Sequence, residues 1–204
     1  MERYAALAGS FLRRQYLLHL LVTAVLCFLS GCFMSFRNLD ASQCGKVMEQ
    51  YVSFVGILLL TPLFLPEQDL EIWQLEKSKE MDLWKLYLLR LAIGLMGILL
   101  IVSLFTGLLH AQGSVFPAWD LWQGSVAETV FLGSIGFFVS ACTNQAVLGY
   151  MVALIYYMAN FGAGKYLGEF ALFQMMREEY DFWPYMLAGS LCLVTAGIIL
   201  REQR

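Results

Sequence analysis

The sequence predicts an all-α integral membrane protein, with six transmembrane helices, an amphipathic helix ahead of the first and a short cytoplasmic helix between the second and third. Three observations predict it. Residues 129–164 run thirty-six positions without a charged side chain. A single helix of that length would be roughly 54 Å long, while the hydrocarbon core of a bilayer is only about 30 Å thick. The stretch is therefore two spans, turning where Thr143, Asn144 and Gln145 can face water. The chain is 59% hydrophobic and 14% charged, against roughly 25% charged for an average soluble domain. Its apolar residues also come in long blocks rather than in amphipathic stripes.

At the N-terminus Tyr4, Ala8, Phe11 and Leu12 share one helical face, opposite Arg3, Ser10 and Arg14. That pattern suits a helix lying on the inner membrane surface. Arg13-Arg14, an apolar stretch and Leu29-Ser30-Gly31-Cys32 also look like a lipoprotein signal ending at a lipidated cysteine. An ordinary first span is favoured, because cleavage would leave five spans and spoil the charge asymmetry described below. The six spans are expected at 16–36, 51–65, 86–109, 126–142, 146–162 and 184–200. The second and fourth are short, and their ends borrow polar neighbours such as Gln50 and Glu128. Nothing is left over for a soluble domain, so residues 1–204 form one membrane unit.

Six spans put both termini on one side, and basic residues choose it. Arg3, Arg13, Arg14, Lys77, Lys79, Lys85, Arg90, Arg201 and Arg204 lie on the side of the termini, nine of the thirteen Lys and Arg. Arg37, Lys46, Lys165 and Arg177 lie opposite. Positive charge is retained in the cytoplasm, so both termini are expected there. Trp119, Trp122 and Trp183 then fall near outer span ends, at headgroup level. A net charge of −3 gives no reason to expect nucleic acid as a partner.

The search for chemistry returns little. Cys27, Cys142 and Cys192 are small apolar packing residues within spans. Cys32 and Cys44 could meet on the outer side, but five cysteines without CxxC spacing make no metal or redox framework. His19 and His110 fall at opposite ends of the membrane. Glu178-Glu179 resembles the start of the EExxxR motif of intramembrane CAAX-type proteases, but Phe182 stands where arginine should be. There is no GxSxG, HExxH or GxxxxGK[ST] motif, so no enzyme activity and no cofactor of its own is expected for this chain. Glu128 is the one acid expected within the spans, where acids are functional suspects by default. Its plainer reading puts it at the outer interface, because span four begins only at Val126. Gly133, Ser134, Gly94 and Gly97 let helices approach closely.

The connection at 66–82 is highly charged yet carries Leu70, Ile72, Trp73 and Leu75, which a solvated loop would not need. Leu70 and Trp73 are one helical turn apart and would offer an aromatic anchor amid acids. Such a surface suits a groove on a partner; it equally suits a helix folded back on the membrane with its Trp among headgroups.

These features together resemble the permease subunits of ABC-2 type ABC transporters, over essentially the whole chain. That family has an N-terminal amphipathic "elbow" helix, six spans with cytoplasmic ends and an acidic segment between spans two and three. The segment reads approximately Glu-x-Glu-x-Gly-Thr-x-Glu-x-Leu, then Pro-x-Ser and a basic residue entering span three. Glu67, Asp69, Gln74 and Leu75 match its first part and Arg90 its basic residue, whereas Glu71-Ile72 replace Gly-Thr and Glu80 replaces the proline. The outer segment 165–183, with Phe170, Phe173, Met175 and Met176, looks like the re-entrant helices these permeases carry before the last span.

The resemblance implies a bacterial cell-membrane exporter of which this chain is half the pathway, paired with itself or with a related permease. Glu67, Asp69, Leu70, Glu71, Trp73, Leu75 and Glu76 would couple it to a separate ABC ATPase subunit, which would hold ATP and magnesium. Glu128, Phe170 and Phe173 would line a pathway or outer gate. The near absence of buried charge points to an amphipathic substrate, a hydrophobic peptide or something lipid-like. The alternative is the substrate-binding subunit of an energy-coupling-factor type vitamin importer, similar in span number and length, which would place polar ligand-binding side chains in its outer loops. A membrane-embedded enzyme is a third class, without a convergent acid, base or metal set to support it.

Overall fold

The computed structural model describes residues 16–33, 36–68 and 83–203, apart from the side chains of 30–33, 67, 83, 163 and 165. Every regular element among these residues is helical. Helix α1 (Leu17–Phe33) is followed by α2 (Ala41–Val47), whose start is set by Asp40. The Asp40 carboxylate accepts the Gln43 amide N–H at 2.9 Å and Gln43 Oε1 accepts the Asp40 N–H at 3.4 Å, a reciprocal cap. A π turn (Met48–Val52), α3 (Phe54–Leu60) and a 3-10 stretch (Thr61–Gln68) continue the same rod. Then come α4 (Leu83–Ala111), α5 (Ala118–Thr143), α6 (Ala146–Ala163), three 3-10 turns (Gly164–Tyr166, Gly168–Phe170 and Met175–Arg177) and α7 (Trp183–Glu202).

Hydrogen bonds sort the connections into two ends of the bundle. At one end, Asn38 N–H donates to the Gln112 carbonyl and Val115 N–H to the Leu39 carbonyl. Ser42 Oγ donates to the Met176 carbonyl at 2.7 Å. These bonds join the loops before the rod, between α4 and α5, and before α7; we term this the cap end. At the other, Tyr16 Oη donates to the Leu59 carbonyl, the Arg90 guanidinium to the Leu63 carbonyl, and Arg201 lies over the Phe64 ring. Gln68 and Leu83, the tight Asn144–Gln145 turn and the C-terminal end of α7 belong here, at what we term the connection end. Asn144 holds the left-handed conformation (φ 58°) that lets α5 reverse into α6 within two residues.

Among the described residues, four helices are long and apolar enough to cross a bilayer: Ala41–Pro66, Trp84–Ala111, Ala118–Thr143 and Trp183–Glu202. Leu17–Leu29 and Ala146–Gly162 are apolar but shorter. The expected spans fall on these segments with shifted ends. Two extend far beyond their apolar runs: the second begins at Ala41 rather than 51, and the fourth at Ala118 rather than 126. Polar residues conceal both extensions in the sequence; the structure accommodates them because Gln43 faces outward and Glu49 has partners described below.

The rod and α5 form the centre. Of their most apolar stretches 78% and 67% is buried, against 28% for α4 and 22% for α7. They meet without intervening side chains. A Cβ on Gly56 would lie 1.8 Å from the Thr129 carbonyl oxygen, and one on Gly133 would lie 2.5 Å from that of Gly56. Near the connection end a Cβ on Gly149 of α6 would lie 2.5 Å from the Gly136 carbonyl of α5. Contact of small residues, backbone on backbone, is how helices associate where lipid removes the hydrophobic drive. Large apolar side chains turn outward on α1 (Leu18, Phe28), α4 (Met96, Leu104) and α6 (Val147, Met158), as lipid contact requires.

Candidate functional site

The segment from Gly164 to Phe182 folds over the cap end. The re-entrant helices suggested by resemblance are not formed; three single 3-10 turns take their place. Phe173 (φ 67°) and Glu178 (φ 62°) hold left-handed conformations, which break helical continuation. Side chains from α6 and the rod tie the segment down. Asn160 Oδ1 accepts the Leu172 N–H at 2.8 Å, Tyr156 Oη donates to the Phe170 carbonyl at 2.5 Å, and Gln174 Nε2 donates to the Ala171 carbonyl at 2.8 Å.

The deepest tie is Glu49. Its Oε1 accepts the Met175 N–H at 2.5 Å and its Oε2 the Met176 N–H at 3.1 Å, so both oxygens close on the first amides of a 3-10 turn. Free amides at the start of such a turn are the natural partners of an anion. Gly45 makes the approach possible: a Cβ there would stand 2.6 Å from the Met175 carbonyl. The π turn also presents the Gln50 carbonyl to Tyr157 Oη at 3.3 Å, and Ser53 Oγ donates to the Glu49 carbonyl. Wide turns of this kind recur at functional sites. In the cap itself Tyr180 has a buried, unpartnered hydroxyl, and burial, with Glu178 and Glu49 nearby, pushes this phenol up to about 12.

Glu128 lies on α5, across from the rod, within electrostatic reach of Glu49, Tyr156 and Tyr157. It is 1% exposed, and neither carboxyl oxygen has a hydrogen-bond partner. Ten residues separate it from the start of α5, about 15 Å at helical rise. The sequence reading set this acid at an outer interface, reaching for water; the structure buries it within the helices instead. Below it the seam between rod and α5 stays polar. Thr129, Thr61 and Ser140 are buried with hydroxyl oxygens that have no partner. Buried polar groups are normally paired, so a row of such groups between two glycine-rich faces is the least ordinary feature of the bundle. Among the described residues no group of three His, Cys, Asp or Glu side chains converges as a metal site would require.

Phe170 and Phe173 join the aromatic layer under the cap. Phe170 packs at a tilt against Phe131, one turn along α5 from Glu128, at 5.5 Å between centroids. Phe173 meets Tyr157 and Phe161 at 5.4 and 4.6 Å. The three residues expected at an outer gate therefore share one region. Glu49 was missed, and with it the internal pair. The sequence held a signal: Glu49, Ser53 and Gly56 are spaced to share a face, as are Ser125, Thr129, Gly133, Gly136 and Ser140. Of the expected coupling residues, Glu67 belongs to the 3-10 stretch, whereas Asp69, Leu70, Glu71, Trp73, Leu75 and Glu76 lie outside the described residues.

Between α4, α5 and α7 runs a second feature, an apolar groove of about 380 Å³. Leu91, Leu95, Val126, Val130, Leu187 and Val194 line it, with Ser190 the polar exception. No protein-family model, curated protein or solved structure matches the chain.

Proposed function

We propose that this chain is the membrane-embedded permease subunit of an ATP-driven ABC-2 type exporter. It supplies half of a translocation pathway and pairs with a second permease, the same or a related chain. In this reading all six helical segments cross a bacterial cell membrane, the cap end faces outward and both termini are cytoplasmic. Trp119 and Trp122, stacked at 5.4 Å, and Trp183 then sit at the outer interface, as such rings prefer.

One observation carries the reading. The acidic, Trp-bearing connection leaves the bundle at Gln68 and returns at Leu83, at the same end as the α5–α6 turn and the end of α7. An ABC ATPase docked there would contact the chain where the central rod ends. Trp73 and Leu70 supply the apolar anchor, with Glu67, Asp69, Glu71, Leu75 and Glu76 around them. ATP and magnesium belong to that partner. The substrate is amphipathic, a peptide or lipid-like molecule, in keeping with the leucine- and valine-lined groove between α4, α5 and α7.

The test is purification in mild detergent with and without Trp73→Ala. The parent chain is expected to retain an ATPase subunit and a second permease. Loss of a buried aromatic anchor typically costs about 2 kcal/mol or more, so the variant should lose the ATPase while staying folded. Tight retention of a vitamin without an ATPase, or full ATPase retention by Trp73→Ala, would refute the assignment.

A further inference from the structure

Beyond the exporter reading, and independent of it, we propose that Glu128 is a proton-binding site inside the membrane, paired with Glu49 beneath the cap. Three geometric facts carry this. Glu128 is fully internal and has no donor for either oxygen. Its neighbour Glu49 already has both oxygens occupied by the amides of Met175 and Met176. The two carboxyls stand on the two central helices, within electrostatic reach of one another.

The pair divides its roles accordingly. An ionised carboxylate needs donors; two amides reach Glu49, and none reaches Glu128. An isolated buried charge without them costs many kcal/mol, so the proton of the pair resides on Glu128. A second carboxyl within electrostatic reach disfavours the charge on Glu128 further. The other groups facing the pair do not supply a compensating charge at Glu128. Tyr156 and Tyr157 come from α6 and Tyr180 from the cap, all of them hydroxyls, and Arg177 stands on the Glu49 side. The packing also selects the ligand. With Gly56 against the Thr129 carbonyl and Gly133 against that of Gly56, the seam has no width for a hydrated metal ion, and a proton needs none.

Exchange requires water, and the cap controls it. When the segment bearing Met175 and Met176 lifts from Glu49, water reaches the pair. The Glu128 proton passes to that water, and the carboxylate left behind is solvated. On closure a proton is taken up again and the amides return to Glu49. Loading of the site and closure of the cap thus turn on one residue, Glu49.

The experiment uses the full chain in liposomes and dicyclohexylcarbodiimide, which reacts with neutral carboxyl groups in apolar surroundings. The acid's proton goes to a carbodiimide nitrogen, its oxygen adds to the central carbon, and the O-acylisourea formed rearranges to a stable N-acylurea. Peptide mass spectrometry should place the adduct on Glu128. Yield should fall about tenfold per pH unit above the midpoint, as for one titrating group. The adduct should be retained in Glu49→Gln, lost in Glu128→Gln and restored in Glu128→Asp, with size-exclusion profiles confirming that each variant is folded. An adduct on Glu49 instead, or no adduct on folded protein at any pH, would overturn the proposal. Protection by sodium at constant pH would also overturn it, since a cation and not a proton would then be the ligand. The exporter reading survives any of these failures, because its own test is ATPase retention.

Discussion

Gly56→Ala places one methyl group where the two central helices already touch. The new carbon would stand 1.8 Å from the Thr129 carbonyl oxygen and 2.8 Å from its carbon. Ordinary contact begins at 3.4 Å, so the rod and α5 must part by roughly 1.6 Å, and neither neighbour is a flexible side-chain tip. Rotation of the rod gives no escape, because the Gly56 carbonyl is itself pressed on Gly133. Overpacking typically costs about 1–3 kcal/mol; backbone against backbone belongs at or above the upper end. Gly107→Ala on α4 is the matched control. A methyl group there meets nothing within 4 Å, and replacing a helical glycine should stabilise by up to about 1 kcal/mol. Both variants can be followed by tryptophan fluorescence during unfolding in mixed detergent micelles containing increasing dodecyl sulfate. The expected difference between them is about 3 kcal/mol or more. A Gly56→Ala variant within about 0.5 kcal/mol of the parent would refute the close seam, and with it the argument that hydrated ions are excluded.

Glu49→Ala removes the acceptor of two buried amides, each costing about 1–3 kcal/mol when left unmet; hydrogen exchange at Met175 and Met176 should accelerate strongly, and unchanged exchange would mean that the cap is held elsewhere. Ser42→Ala, which removes one bond to the Met176 carbonyl, should give a smaller acceleration, corresponding to about 1 kcal/mol. Phe64→Leu should cost about 1–2 kcal/mol in the same unfolding assay, because the ring contacts Tyr87, Phe137 and Arg201 together; a neutral result would show that this contact is merely apolar filling. Single cysteines at Ser78 and Lys165 should be labelled from opposite faces of the membrane, and labelling of both from one face would sink the six-span topology.

How much was legible followed from what kind of physics each feature uses. The apolar blocks marked all six helical segments, because exclusion of charge from lipid acts on composition alone. Asn144 between two blocks and Pro184 in the first turn of α7 gave the turn and the start by local chemistry. The cap was not legible. Its turns depend on left-handed Phe173 and Glu178, residue types that rarely adopt that conformation, and on acceptors supplied by Glu49 and Asn160 from distant elements. Glu49 itself was hidden because it interrupts an apolar run and so reads as a span boundary; only the amides of Met175 and Met176, more than a hundred residues later, make its burial tolerable. Glu128 stands out in the sequence for its charge, but its burial does not, since the first two turns of α5 are polar enough to look like loop.

The central rod touches both ends of the molecule. Its first turns carry Ser42, Gly45 and Glu49 against the cap, and its last residues lead into the connection at Gln68. The twenty-six residues of Ala41–Pro66 make a strut about 39 Å long at α-helical rise, continuous in backbone but changing in helix type along its length. The α3 section is clamped by glycine contacts, while the π turn just below the cap has wider rings and a carbonyl shared with Tyr157. The glycine-clamped section ends at Ser53, and beyond it only the π turn separates the strut from the two amides that hold the lid down.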